Sequence, residues 1–437
     1  MNLKKTQLKI YCIGIGGSGL SGLAAILAKS GHKIFGSDQL PSKFTKELEE
    51  LGIIVNFTQK EENIDETYDL IIHSHAIEND HEELKKAHRL NLKVVNYPEA
   101  LGLLTKSYET IAVCGTHGKT TVTSMMASVA IGAGLDPTVI IGAVTKELNG
   151  HNYRSGKGNL LIIEACEYRR SFLNYHHDHI IITNIELDHL DYFKDEKDYF
   201  SSYMEFCLKT KQNGSITYQD VDKMRDFIAK LKIERPDLNF NKFQDLKESK
   251  YILKIPGLHN QNNADAVSRF AQHVLNVPSK IINERLQSFE GASRRFEFKG
   301  NFQGIPVIDD YAHHPTEIRA TLNAARQKFG SSAHLTAVFQ PHQFSRTYHL
   351  IKEFSDCFTD ADELLITDIL NVRDSKYDEQ KITTEDFVTT INHNNKHATG
   401  NLEQTLQFLL KKNLKTEALI IMGAGSIGTL SDQLTKN

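Results

Sequence analysis

The sequence predicts an α/β protein of three domains, each a sheet with helices on its faces, and three observations predict it. A glycine fingerprint, Gly14-x-Gly16-Gly17-x-Gly19, joins a strand-like run to a helical one. A second glycine turn, Gly115-Thr116-His117-Gly118-Lys119-Thr120-Thr121, does the same further on. Beyond about residue 294 apolar strands alternate with helical segments, the pattern of a parallel sheet with helices on its faces. A length of 437 residues accommodates about three such domains.

Composition narrows the partners. Lys and Arg number 51 against 55 Asp and Glu, a net charge of −4, so there is no basic field to draw nucleic acid or a membrane surface. Small-molecule ligands are the expectation. The five cysteines (Cys12, Cys114, Cys166, Cys207, Cys357) are scattered and form no C-x-x-C pair, which argues against a disulfide framework and a structural zinc site and for a reducing, cytoplasmic compartment. Two lysines followed by IYCIGIGGSGLSGLAAILA have some look of an export signal, but the glycine density fits a strand-to-helix turn better. No run is long and apolar enough for a membrane span.

In order along the chain, the pattern predicts a strand over 8–15, a helix from the fingerprint to about Lys29, and a strand over 32–36 ending in Ser37-Asp38. Backbone N–H groups at such a helix start hold a pyrophosphate, and an acid about 20 residues on is the position that meets a ribose in dinucleotide folds. A sugar nucleotide has the same pyrophosphate, so the fingerprint leaves NAD and UDP-sugars both open. A strand over 69–76 (DLIIHSHA), a helix over 82–90, a strand over 93–96 and a linker near 98–107 complete a first domain, 1–106.

The second domain, 107–293, opens with the strand 110–114 and the turn Gly115 to Thr121. Unpaired N–H groups, a helix dipole, the Lys119 charge and a Thr120 hydroxyl suited to magnesium together hold a nucleoside triphosphate. The spacing is shorter than the usual phosphate loop, since Val113 stands where its first glycine would be. Strands over 160–165 and 179–184 end in Glu164-Ala165-Cys166-Glu167 and IELDHLDYF, which sets Glu164 and His189 where open α/β sheets bind ligands and where a metal could meet the triphosphate. Residues 211–256 read as scaffold. The run GLHNQNN (257–263) precedes a helix predicted over 264–275, so Asn260 and Asn263 read locally as helix caps, with contact to a base edge as the other option.

The third domain, 294–437, alternates strands (306–310, 335–340, 363–368, 418–422) with helices (317–328, 350–358, 384–391, 402–411). Its strand-end loops carry DDYAHHP (309–315) and FQPHQFSRT (339–347).

In this order, GIGGSGLSGLA, GTHGKTT, the Glu164 strand end, TNIELDH, GLHNQNNA, GASRRFE, DDYAHHPTE, FQPHQFSRT and GAGSIG cover nearly the whole chain, and together they resemble the Mur ligases, nearest the branch that adds L-alanine. The resemblance implies a UDP-binding Rossmann-like domain, a central P-loop ATPase domain and a C-terminal Rossmann-like domain. It implies ATP and Mg2+ as cofactors, with UDP-N-acetylmuramate and L-alanine as substrates. The lactyl carboxylate would be phosphorylated and the alanine amine would then displace phosphate. Carried over by position, Gly14, Gly16, Gly17, Ser18, Gly19, Ser37, Asp38 and Ser74 would hold the UDP-sugar. Gly115 to Thr121, Asn260, Asn263, Arg295 and Asp310 would hold ATP, and Thr120, Glu164 and His189 the metal. Lys119, Glu164, His189 and Arg346 would act in catalysis, with Tyr311, His314 and His342 on the substrate side.

Three positions depart from the family pattern: Cys166 replaces a frequent Asp, His75 a frequent Ser and Gln343 a frequent Arg. Alternative readings are a recycling ligase that attaches a tripeptide to the same sugar nucleotide, a non-catalytic UDP-sugar binder, and an NAD-linked oxidoreductase. The last leaves Lys119, Glu164 and His189 without a role.

Overall fold

The computed structural model describes residues 7–436; Lys4 and Lys5, part of the export-like pattern, lie outside them. The chain divides into two compact units. The first comprises Met1–Glu186, Phe200–Asp245 and Asp265–Leu286, and the second Leu187–Tyr199, Leu246–Ala264 and Gln287–Asn437.

The first unit holds two sheets. Strands β1 (Lys9–Ile13), β2 (Lys33–Ser37), β3 (Ile54–Asn56), β4 (Leu70–His73) and β5 (Val94–Asn96) form a sheet of order β3-β2-β1-β4-β5, parallel throughout. Helices α1 (Ser18–Lys29), α2 (Lys43–Glu50), α3 (Glu82–Arg89) and α4 (Tyr97–Thr105) connect and flank its strands. The strand order reverses between β1 and β4, so the fingerprint turn and Ser74 emerge together at the switch point, where such sheets take ligands.

Helix α4 corrects the linker expected near 98–107. Asn96 accepts from Glu99 N–H at 3.0 Å and Glu99 returns the bond to Asn96 N–H at 2.9 Å, with a proline in the first turn. That reciprocal cap starts a helix in spite of Pro98, because a proline costs no hydrogen bond there.

The second sheet orders β6 (Glu109–Cys114), β7 (Thr138–Thr145), β8 (His151–Arg154), β9 (Leu160–Glu164), β10 (His179–Ile182), β11 (Ser215–Gln219) and β12 (Asn239–Phe243) as β12-β11-β10-β6-β9-β7-β8. Its pairings are parallel except β7–β8. The region read as scaffold supplies two of these strands and helix α7 (Asp222–Glu234), while α5 (Lys119–Gly132) follows β6 and α6 (Glu196–Leu208) follows β10. Strand β8 docks on the first sheet's helices: Asn152 Nδ2 donates to Ser18 O at 2.5 Å, His151 Nδ1 lies 3.0 Å from Glu47, and the Lys29 ammonium stands over the Tyr153 ring.

Helix α8 (Leu258–His273) starts six residues before the predicted start, and α9 (Ser279–Ser288) follows it. Asn260 and Asn263 therefore stand inside the first turns of α8, and the cap reading of both is corrected.

The second unit holds the third sheet, β13 (Glu297–Phe302), β14 (Ile305–Asp310), β15 (Leu335–Phe339), β16 (Glu363–Thr367), β17 (Lys396–Gly400) and β18 (Ala418–Met422), in the order β13-β14-β18-β15-β16-β17. All pairings are parallel except the β13–β14 hairpin, so the sheet is mixed where a parallel one was expected. Helix α10 (Pro315–Phe329) follows β14. Strand residues alternate between two cores: Leu335, Ala337 and Phe339 pack with Phe354 and Phe387, while Val338 packs with Leu365 and Ile421 on the other face. Burial on both faces is why these strands read as continuous apolar runs.

Candidate active site

In the first unit, the turn after β6 is flanked by the ends of β9 and β10. Gly118 adopts a left-handed φ of 82° and α5 starts at Lys119. The turn is fixed from β10: Asn184 Oδ1 accepts from His117 N–H at 2.9 Å and Asn184 Nδ2 donates to His117 O at 3.0 Å. Thr183 also donates to His117 O, and Thr116 Oγ1 donates to Glu186 O. Thr116, Thr120 and Thr121 are buried.

Lys119 Nζ donates to Gly115 O at 2.5 Å, to Thr116 O at 3.0 Å and to Glu167 Oε2 at 3.0 Å. Burial works against its charge, but Glu167, then Cys166 and Glu164, outweigh it and hold the ammonium above the ordinary lysine range. Thr120 Oγ1 donates to both Glu164 oxygens at 3.0 and 3.1 Å, and Gly142 N–H donates to Oε2 at 2.9 Å. A hydroxyl and a carboxylate at one point form a hard-oxygen donor set of the kind magnesium takes.

At the first sheet, Gly14 N and Ile15 N both donate to Ser37 O. Ser37 is fully buried and its hydroxyl donates to Glu83 at 2.5 Å. Glu83 also accepts from Tyr11 at 2.8 Å and Asn63 at 2.7 Å. Asp38 Oδ2 accepts from Gly16 N–H at 2.7 Å and Oδ1 from Gln39 N–H at 2.8 Å. The acid at the ribose position of a dinucleotide fold thus braces the glycine turn. Ser74 stands against Gly14, and its Oγ accepts from Ala76 N–H.

In the second unit, Arg346 is 7% exposed and Asp188 6%; Arg346 Nε donates to Asp188 Oδ1 at 3.2 Å, and Nη1 donates to His342 Nδ1 at 3.1 Å. Burial opposes the Asp188 charge, yet Arg346 and then His189, His313 and His314 hold its carboxyl well below the usual range. His189 has a left-handed φ of 56°. Burial, then Arg346, drives the His342 imidazole down to about 3. His314 caps α10, its Nδ1 accepting from Thr316 N–H. The Arg294 and Arg295 guanidiniums lie over the Tyr311 ring at 5.3 and 5.0 Å. Asp310 accepts from Phe296 and Ala312 N–H groups, both at 2.7 Å, and burial pushes it up to about 6 although Arg295 pulls the other way.

Asn260 Nδ2 donates to Pro256 O at 2.6 Å and Asn263 Nδ2 to Asn260 Oδ1 at 3.4 Å, both residues being buried. Gln343, at the departure from a frequent Arg, is buried, takes a left-handed φ of 72° and donates to Val372 O; it shapes the turn before the helix that carries Arg346.

Reading the sequence left out Glu167, Asn184 and Asp188 as site residues. Asn184 had a signal in the strand-end pair Thr183-Asn184. The partners of Glu167 and Asp188 are set by tertiary contact and leave no local mark.

Family models match in three successive parts: the Mur ligase family catalytic domain over residues 9–109, the Mur ligase middle domain over 113–271, and the Mur ligase glutamate ligase domain over 294–425. A UDP-N-acetylmuramate–L-alanine ligase of Clostridium tetani is 36% identical, covering 98% of both chains. The solved UDP-N-acetylmuramate–alanine ligase of Thermotoga maritima superposes with a TM-score of 0.78 at 25% identity over 98% of both chains. A murein peptide ligase of Psychrobacter arcticus, at 21% identity and a TM-score of 0.74 over 98% of both chains, shares the fold. Among the described residues no helix is long and apolar enough to cross a membrane.

Proposed function

Since the chain belongs to the Mur ligase family, we propose that it joins L-alanine to the lactyl carboxyl group of UDP-N-acetylmuramate and converts ATP to ADP and phosphate, a step of peptidoglycan precursor synthesis. The observation that carries this reading is the full-length match to L-alanine-adding relatives. The reaction then runs in two steps. A carboxylate oxygen attacks the terminal phosphorus of ATP and ADP leaves. The alanine amine attacks the resulting acyl phosphate, loses a proton and expels phosphate, which leaves the new C–N bond.

Residue types follow from that chemistry. A carboxylate approaching a triphosphate meets like charge, so the site must supply positive charge and positioning. Lys119 and the N–H groups of Gly115 to Thr121 take the triphosphate, and Lys119 exchanges Glu167 for phosphate oxygens. Thr120 and Glu164, joined by His189, would hold Mg2+. When bound, that ion neutralises phosphate charge. In this reading Asn260 and Asn263 face the adenine, with Arg295 and Asp310 toward the nucleotide. The turn Gly14 to Gly19 takes the UDP diphosphate, with Ser37, Asp38 and Ser74 around it. Arg346, His342, Tyr311 and His314 serve the muramyl and alanine side. The domains run 1–106, 107–293 and 294–437, and ATP chemistry with five free thiols suits the cytoplasm.

The test is phosphate release from Mg-ATP with UDP-N-acetylmuramate, comparing L-alanine, glycine, L-serine and a muropeptide tripeptide, with mass spectrometry of the product. Release that requires both the sugar nucleotide and L-alanine, with the matching mass gain, is the expected result. Dependence on the tripeptide would move the protein to the recycling branch. Sugar-nucleotide binding without turnover would make it a sensor.

A further inference from the structure

Where α4 meets the segment leading from β9 to β10, the first unit holds a cavity of about 500 Å³. None of its lining residues belongs to either glycine turn, and no step of the reaction above uses it. Backbone contacts fix its walls. A Cβ built on Gly102 would stand 2.2 Å from Asn174 O, so the end of α4 lies directly on that segment. Thr105 Oγ1 donates to Gly102 O at 2.7 Å and accepts from His176 N–H at 3.0 Å, which pins His176 beside the end of the helix. Lys106, the C-cap of α4, and Lys209, just beyond α6, line the same cavity.

The charges there do not balance. Lys209 Nζ donates to Leu173 O at 2.6 Å, and among the described residues neither Lys209 nor Lys106 has a salt bridge to an acid. The acid on the lining, Glu99, gives its Oε2 to Asn96 N–H in the cap of α4. An adjoining cleft of about 410 Å³ shares Lys106 and makes the contrast. Its acids are answered, Asp178 by Lys211 at 2.7 Å and Glu109 by His179 at 3.2 Å. Walls around uncompensated charge concentrate its field on whatever enters. Burial, then Lys106 and Lys209, lowers the titration of His176, so its ring offers an N–H donor beside the two ammoniums.

We propose that this cavity binds the phosphate group of a small phosphorylated molecule, with Lys106, Lys209 and His176 on the phosphate oxygens. Phosphate presents three acceptor oxygens to divide among the three groups, where a carboxylate presents two. The volume is that of a site for a small organic ligand, larger than phosphate alone requires. The half-buried Leu103 and Leu173 side chains on the lining would take the carbon skeleton. The site is independent of the ligase reading, since it uses none of the residues placed in that reaction.

Titration calorimetry on the full chain tests it, with ribose 5-phosphate and inorganic phosphate as probes. Mg2+, a non-hydrolysable ATP analogue and UDP are held at saturation, so that both glycine turns are occupied. Ribose 5-phosphate should bind saturably, and Lys106→Ala and Lys209→Met should each weaken it about tenfold or more, the size of one hydrogen bond between charged groups. Lys93→Ala, at an exposed lysine off the cavity, should leave it unchanged. Lys106 is exposed and has no salt bridge to lose, so its variant carries the test even if Lys209→Met disturbs the fold. Tighter binding of ribose 5-phosphate than of inorganic phosphate identifies a phosphate ester as the occupant, and equal binding identifies free phosphate. No saturable binding of either probe, or affinity undiminished by Lys106→Ala, would overturn the site.

Discussion

Lys119 Nζ stands 3.0 Å from Glu167 Oε2, with the Glu167 side chain 1% exposed. The charge that would meet a triphosphate is already answered by a buried acid. Replacing Lys119 by Ala should reduce turnover by about three orders of magnitude or more while leaving affinity for the sugar nucleotide unchanged. Initial rates and calorimetry check this; undiminished turnover would remove the triphosphate from this turn.

Glu167→Gln tests the same pair from the other side. It takes from the ammonium, still held by the Gly115 and Thr116 carbonyls, its nearest and strongest countercharge and leaves only the weaker influence of Glu164, so the variant should be less stable by about 1 to 3 kcal/mol. A phosphate-bearing ligand would restore the countercharge. Adding a non-hydrolysable ATP analogue should therefore raise the melting temperature of the variant more than that of the wild type, and equal shifts would contradict it.

Acid should weaken the fold before it touches ordinary carboxylates. Burial holds His177 and His342 down to about 3 and His259 and His313 down to about 4, whereas in an unfolded chain imidazoles titrate near about 6.5. Between those values the unfolded chain binds protons that the folded one refuses, so stability is full above about 6.5 and falls as pH drops toward 4. Asp310, raised to about 6 by burial, and Asp309, raised by burial as well, act in the opposite sense, but the imidazoles that burial lowers, His73 and His176 included, outnumber them. Scanning calorimetry across pH 8 to 5 should show a flat melting temperature that then declines; a rise on acidification would refute this.

Gly102 sits on α4, where an added Cβ would lie 2.2 Å from Asn174 O. The opposing atom is backbone and cannot rotate away. Gly102→Ala should cost about 1 to 3 kcal/mol, read as a lower denaturant midpoint.

Of the five thiols, Cys166 is exposed and Cys12, Cys114, Cys207 and Cys357 are buried. A thiol reagent should label one equivalent on the native protein and five after unfolding, and Cys166→Ser should abolish the native label. More than one native equivalent would show that the buried thiols are reached by opening of the fold.

The glycine turns were legible because they demand particular residues at fixed spacing, and the buried strands because they are apolar without interruption. Helix α4 has a local signal in the reciprocal cap of Asn96 and Glu99, but Pro98, ordinarily a helix breaker, stands in its first turn and gives the segment the look of a linker. At α8 the error ran the other way, since two asparagines suited to capping stand inside a helix that begins right after Gly257, itself at φ 103°. The antiparallel edges β8 and β13 are set by partners, and no local pattern announces them. The same holds at the site. Lys119, Thr120 and Glu164 could be named from motif position, but the acids that hold Lys119 and Arg346 come from distant segments. Asp38 looked like a ribose ligand because its position is the customary one; the Gly16 N–H it accepts is visible only in three dimensions.

The docking of β8 on α1 and α2, with Gly102 against Asn174, bears on how this molecule could be recombined. The first sheet ends near residue 96 in the chain, yet its helices are completed by residues 151–154 and 174. A chimera spliced between residues 106 and 107 would join foreign helices to a native strand and loop shaped for others. The transferable module is discontinuous: residues 7–106 together with those two later patches, exchanged as one set.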